Sequence, residues 1–149
     1  MQVQCPDVKG GGTSTYFIGE HSIASYSLTG RATKGFVAFR KGSSRLCFLK
    51  DYWRPISDNI RAELAVYERL SSYNVKHVAT ALGGGDVANQ TTITDQYLNI
   101  ALLLQRLHCR IVIEQLARPL EDYKDSAEMI FIVYDALQGE SYVIHGPYN

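Results

Sequence analysis

The sequence predicts an α+β fold, an antiparallel sheet followed by one main helix. Three observations predict it. Residues 23–28, 36–40 and 45–50 are short runs rich in aliphatic and aromatic residues, separated by the glycine-containing stretches 30–35 and Lys41-Gly42-Ser43-Ser44, and such runs between turn residues read as strands of a meander. After Pro55, Ile60, Leu64, Tyr67 and Leu70 recur at helical spacing, which places them on one face of a helix. Ile111-Val112-Ile113 is a continuous β-branched run of the kind a buried strand carries.

The chain has 149 residues, enough for one domain with a real core. It is 46 % apolar and 20 % charged, which excludes wholesale disorder. Fifteen basic and fifteen acidic residues cancel, so the charge balance points to neither nucleic acid nor an acidic lipid surface as partner. No run approaches the ~20 apolar residues of a membrane helix, and residues 1–20 lack the basic start and apolar stretch of a signal peptide. Cys5, Cys47 and Cys109 are odd in number and far apart. They read as reduced thiols of an intracellular protein, cytoplasmic or nuclear, rather than as a zinc site or disulfide framework. His21, His77, His108 and His145 form no metal-ligand spacing.

Residues 1–22, with Gly10-Gly11-Gly12, read as a flexible lead-in. Residues 23–138 form the domain. Asp58 is placed to cap the main helix. Residues 78–82 are a strand candidate ended by Gly83-Gly84-Gly85, and 94–104 is open between strand, helix and insertion. Arg118-Pro119-Leu120 stops the strand at 111–113. Ser126 is placed to cap a last helix over residues 127–138, and 139–149 is a tail.

Four features can carry chemistry. The loop Gly30-Arg31-Ala32-Thr33-Lys34-Gly35-Phe36-Val37 is one residue from G-x-G-x-x-G-x-V, with Ala32 in place of the middle glycine. Glycines in such a loop let backbone N–H groups approach phosphates, and the same residues also suit a plain two-strand turn. Lys50 shares a strand face with Leu46 and Phe48, pointing to a cleft or snorkelling to water. Glu63 interrupts the apolar helix face, where a carboxylate needs a cation, unless the helix tilt leaves it at the solvent boundary. Residues 111–120 run from a buried strand into an extended link, an arrangement shared by hinges that bind a base through Glu114 and Leu116 backbone groups and by ordinary strand exits. Glycine loop, strand lysine and helix glutamate in that order are the nucleotide-binding set of a protein kinase.

Gly30-Arg31-Ala32-Thr33, Phe48-Leu49-Lys50-Asp51 with Trp53-Arg54, Glu63, Gly84-Gly85-Asp86-Val87, Ala117-Arg118-Pro119-Leu120 and Asp135-Ala136-Leu137 together resemble the fungal-type protein kinases. The resemblance spans about residues 25–138. It implies a truncated protein kinase-like domain: the small lobe with its antiparallel sheet and one prominent helix, the hinge, and the first helix of the large lobe. It implies ATP with Mg²⁺ as ligand and transfer of the γ-phosphate to protein hydroxyls as the family activity. By position, Gly30, Arg31, Ala32, Thr33, Gly35 and Val37 would frame the nucleotide. Lys50 would hold the α/β-phosphates, Glu63 would orient Lys50, and Glu114 and Leu116 would meet the base.

Neither His-Arg-Asp nor Asp-Phe-Gly occurs in the chain. Without those aspartates there is no catalytic base and no metal ligand, so no catalytic residue is assigned, and the chain is expected to be inactive alone. Residues 140–149 depart from the family. The stretch Gln138-Gly139-Glu140-Ser141 is encodable with a consensus splice donor, so this tail is expected to be translated intron. Met129, Ile130, Phe131, Ile132, Val133 and Leu137 make the last helix apolar nearly all round, which calls for burial on every side. That helix is the expected surface for a protein partner, and the alternative reading is a non-catalytic interaction module.

Overall fold

The computed structural model describes residues 1–8, 11–25, 30–93 and 104–145, with side chains through Glu140. Six strands form one sheet: β1 (Gln2–Pro6), β2 (Thr13–Ala24), β3 (Lys34–Arg40), β4 (Leu46–Pro55), β5 (Ala81–Thr91) and β6 (Arg106–Ile113). Every pairing is antiparallel, in the order β1-β2-β3-β4-β6-β5. Helix α1 (Glu63–Ser72) lies between β4 and β5. After β6, a single 3-10 turn at Leu120–Asp122 leads to α2 (Ser126–His145).

The sheet curls until its two edge strands touch. Asp7, just past β1, bridges Gly83 on β5, and the Val8 N–H donates to the Leu82 carbonyl at 3.1 Å. Gly83 allows this approach, since a Cβ there would lie 2.2 Å from the Pro6 carbonyl oxygen, and Gly84 allows β5 to lie close on β6, since a Cβ there would lie 2.4 Å from the Arg110 carbonyl oxygen. Gly84 and Gly85 take φ of 148° and 146°, values open to glycine and closed to L side chains.

Period-two alternation then sorts the strands into an inside and an outside. Val3, Cys5, Tyr16, Ile18, Phe36, Ala38, Cys47, Leu49 and Val112 form the interior core. Outside, Tyr52, Cys109 and Ile111 are buried under α1, which contributes Leu64 and Tyr67. Leu49 is fully enclosed, and truncating such a leucine to alanine costs about 2–5 kcal/mol.

The architecture corrects the expected kinase small lobe. The chain is a nearly closed six-stranded antiparallel barrel with two α-helices among the described residues, not a sheet with one prominent helix. α1 has ten residues, none of them buried, and α2 is the longer helix. Two local misreadings lie behind the difference. Residues 1–22, expected as a flexible lead-in, supply β1 and most of β2, the strands that carry the sheet round to β5. Gly83-Gly84-Gly85, expected to end a strand, lies within β5.

The details shift accordingly. Asp58 does not cap α1: the helix starts at Glu63 behind Ala62, with no side-chain cap, so Ile60 lies outside it. β4 runs on past Lys50 to Pro55, and α2 extends beyond Gln138 into the expected tail. Most of the 94–104 segment, residues 94–103, lies outside the described residues.

Candidate functional site

The site is built on the outer face of β4. Beyond Leu46 and Phe48, alternation puts Lys50 and Tyr52 on this face, and Lys50 sits opposite Gly35 of β3 and Ile111 of β6. The aliphatic stem of Lys50 therefore crosses apolar surface, and its Nζ lies 4.9 Å from the centre of the Tyr52 ring. Glu63 reaches the same point from the first turn of α1. Lys50 Nζ donates to both Glu63 oxygens at 2.8 Å. The two side chains are 23 % and 22 % exposed, so the pair is partly withdrawn from water yet reachable. A carboxylate in the first turn is also favoured by the helix dipole.

The glycine loop approaches from the β3 side. The Trp53 N–H donates to the Arg31 carbonyl at 2.8 Å, and the Ser25 N–H to the Thr33 carbonyl at 2.8 Å, which ties residues 31–33 to β4 and to the residue just past β2. Ala32 sits at φ 43°, a left-handed conformation that costs a non-glycine residue about 1–2 kcal/mol. Gly35 is buried, and a Cβ there would lie 2.6 Å from the Phe48 ring. The end of the Phe48 ring thus lies over Gly35, with Val37 as its cross-strand partner on β3 and Ile113 on β6.

Burial of Tyr52, with the Glu63 carboxylate beside it, pushes the phenol well above its usual range. The structure therefore places a lysine–glutamate pair, a neutral phenol and the apolar side chains of Val37 and Phe48 along one stretch of sheet.

Gly30, Arg31, Ala32, Thr33, Gly35, Val37, Lys50 and Glu63 thus lie on this loop, on the outer faces of β3 and β4, and at the start of α1. Glu114 and Leu116 follow β6. The Glu114 N–H is already donated to the Thr80 carbonyl at 2.9 Å, its carboxylate lies 3.7 Å from Arg45, and Leu116 is exposed. A groove of about 250 Å³ lies elsewhere, behind α1, lined by Tyr67, Leu70, Asn74, Val78 and Ala81.

Two polar clusters were not singled out from the sequence. On the outer face, Arg54 grips Asp86 at 2.9 and 3.3 Å, and Asp86 accepts the Cys109 thiol at 3.0 Å. The Arg54 guanidinium holds the Asp86 carboxyl below its ordinary range. Inside the barrel, Asp51 accepts Arg110 Nε at 3.0 Å and pairs with His108 Nε2. His108 Nδ1 meets Gln90 Oε1, and its ring stacks on Trp53 at 4.9 Å. The alternation that placed Lys50 outward also sends Asp51 and Trp53 inward, and continuing it past Lys50 was the available signal.

Among the described residues, no three His, Cys, Asp or Glu side chains are grouped to hold a metal ion, and no helix is long and apolar enough to cross a membrane. Compared with known proteins, the chain matches no family model, no curated protein and no solved structure.

Proposed function

We propose that the chain binds a nucleoside triphosphate on the outer face of β3 and β4 and does not transfer phosphate by itself. The observation that carries this reading is the Lys50–Glu63 pair, set beside a glycine-containing loop and the apolar Val37 and Phe48. A phosphate needs a fixed cation, and a lysine oriented by a carboxylate offers one without the entropy loss of a free side chain. Lys50 would take the phosphates with Arg31 of the loop nearby, and Val37 and Phe48 would face the base.

The residues fit the phosphates better than a tightly held metal. Glu63 is committed to Lys50, so Mg²⁺ would arrive on the nucleotide's own oxygens. A bound Mg²⁺ would neutralise phosphate charge, and everything else at the site rests on the protein's cations. The resemblance to fungal-type protein kinases supports ATP as the nucleotide. Neither His-Arg-Asp nor Asp-Phe-Gly occurs in the sequence, and the proposal is limited to binding.

The test is thermal unfolding with and without ATP. At a ligand concentration 100-fold above Kd, stabilisation of about 2.7 kcal/mol is expected, lost in Lys50→Met and reduced in Glu63→Gln. A melting curve indifferent to millimolar ATP, with or without Mg²⁺, overturns the proposal. A second reading, a partner-binding module, is favoured by one observation: the apolar side chains of α2 are exposed.

A further inference from the structure

At one end of the barrel β2 outruns its neighbour. The β2–β3 register stops at Tyr16 opposite Arg40, and the Lys41 N–H still reaches the Thr15 carbonyl at 2.9 Å. Thr13 and Ser14 keep β1 on one side, where they pair with Pro6 and Cys5, and among the described residues have no strand on the other. The gap is a notch of about 400 Å³ lined by residues 13–15 and 40–43. Every lining residue except Gly42 carries a hydrogen-bonding side chain, and none is acidic.

Arg40 is held in place at this notch. Its Nε and Nη2 donate to Ser14 Oγ at 3.1 and 2.7 Å, and Nη2 lies 3.3 Å from Asp7 Oδ1. Ser14 is buried, and its hydroxyl donates to Asp7 at 2.8 Å. Nη1 takes no hydrogen bond among the described residues. The guanidinium is thus fixed along one edge while its side chain stays 40 % exposed. A planar fork ordered in advance loses little entropy when it meets an oxyanion. Asp7 offsets the Arg40 charge but does not line the notch.

Lys41 supplies the uncompensated charge. It is exposed, and no acid pairs with it among the described residues. Arg45 of the same hairpin differs, being 3.7 Å from Glu114 and lining a separate cavity. Gly42 turns the chain at φ 82° with open space where a Cβ would stand, so no side chain rises there over the turn. Ser43 Oγ accepts the Arg45 N–H at 3.1 Å, which leaves its own proton to donate. A fixed fork, a free ammonium and several hydroxyls suit a group with negative charge and many acceptor atoms. A tetrahedral phosphate has both.

We propose that this notch binds a phosphate group between Arg40, Lys41 and the hydroxyls of Thr13, Thr15 and Ser43. The inference is independent of nucleotide binding. Gly35, opposite Lys50, lies five residues back along β3 from Arg40, about 17 Å at the rise of a strand.

Proton–nitrogen correlation spectra of the full chain, titrated with inorganic phosphate at constant ionic strength, test it. The amides of Thr15, Lys41 and Gly42 are expected to shift and saturate at millimolar phosphate, and to stay unmoved by chloride. Lys41→Ala and Arg40→Lys are each expected to weaken binding by about threefold or more, the first losing a charge and the second the fork. Arg45→Ala is expected to leave it unchanged. Glycerol 3-phosphate separates the sources: tighter binding than inorganic phosphate assigns the notch to an esterified phosphate, and equal binding to the free ion.

An absence of saturating shifts overturns the proposal, as do shifts that chloride reproduces. Shifts confined to residues 30–35 and Lys50 overturn it in favour of the nucleotide site. A Lys41→Ala chain that binds like the wild type also overturns it. So does an Arg45→Ala chain weakened as much as Lys41→Ala, which would show only diffuse attraction to a basic hairpin. Circular dichroism checks folding. If Arg40→Lys does not fold, because Arg40 also holds Asp7, Thr15→Val takes its place with the same expected direction.

Discussion

Lys50 Nζ stands 2.8 Å from both carboxylate oxygens of Glu63, joining the middle of β4 to the first residue of α1. Glu63 is one of the few links holding the start of this helix, since Ala62 offers no side-chain cap and none of the α1 residues is buried. A pair this accessible contributes modestly. Glu63→Gln is expected to cost about 0.5–1 kcal/mol in urea unfolding, and Lys50→Met about the same or slightly more, because it strands a partly desolvated carboxylate. A double-mutant cycle separates the pair from the two single losses. A coupling below about 0.2 kcal/mol would mean that the helix start is held by Leu64 and Tyr67 alone.

Barrel closure at Gly83, and the β5–β6 approach at Gly84, rest on backbone proximity. A Cβ would meet the Pro6 carbonyl oxygen at 2.2 Å and the Arg110 carbonyl oxygen at 2.4 Å respectively, and backbone cannot step aside as a flexible side chain can. Gly83→Ala and Gly84→Ala are each expected to destabilise the fold by about 3 kcal/mol or more, in the range of severe backbone clashes. In hydrogen exchange, the Val8 amide should lose protection first in Gly83→Ala, since its bond to Leu82 spans the seam. Gly42 is the control. It has a positive φ of 82° and open space around its Cβ, so Gly42→Ala should carry only a backbone penalty of about 1 kcal/mol.

Sequence patterns worked where the physics was local. β3 was legible within two residues because Gly35 and the Lys41-Gly42 turn bracket it, and the Lys50–Glu63 pairing followed from alternation on a strand meeting periodicity on a helix. The closure was not legible. Val3 and Cys5, then Ser14, Tyr16 and Ile18, do alternate inward, but the glycine run at 10–12 dominates that stretch and reads as a linker. Gly83-Gly84-Gly85 looks the same whether it ends a strand or lets one pass close to another. Only the position of Pro6, far away in sequence, decides it. The start of α1 was missed for a related reason. Asp58 has the right chemistry for a cap, while the 10-residue helix begins where Glu63 finds Lys50.

Ala32 is held in the left-handed region at φ 43° by the hydrogen bond from Trp53 to its neighbour Arg31. Glycine adopts this conformation without a Cβ clash but has more unfolded-state freedom to lose. The two effects oppose each other at about 1 kcal/mol each. Ala32→Gly is therefore expected to leave stability within about 0.5 kcal/mol of the wild type or raise it slightly, unlike a glycine placed in the interior of a strand. If nucleotide binds beside this loop, the same change removes a methyl group and should tighten ATP binding. Weaker binding in Ala32→Gly would show that loop rigidity matters more than clearance.

Cys5, Cys47 and Cys109 are free and buried. Burial pushes the Cys5 and Cys109 thiols up to about 11, and raises Cys47 as well. A thiol that ionises at higher pH in the folded chain than in the unfolded one contributes stability that is fully present below the unfolded value of about 8.5. Above that value the unfolded chain releases protons that the folded chain retains, so stability falls as pH rises and levels off beyond about 11. Denaturant midpoints should accordingly drop between pH 9 and 11, and Cys5→Ser should flatten part of that slope. In the native state at pH 8, iodoacetamide should modify Cys5 and Cys47 only as fast as the barrel opens, and Cys109 only as fast as its cover on the outer face opens, since the thiolate is the nucleophile. Rapid labelling of Cys109 in the folded protein would show that the Asp86–Arg54 pair above it opens far more readily than the interior core around Cys5.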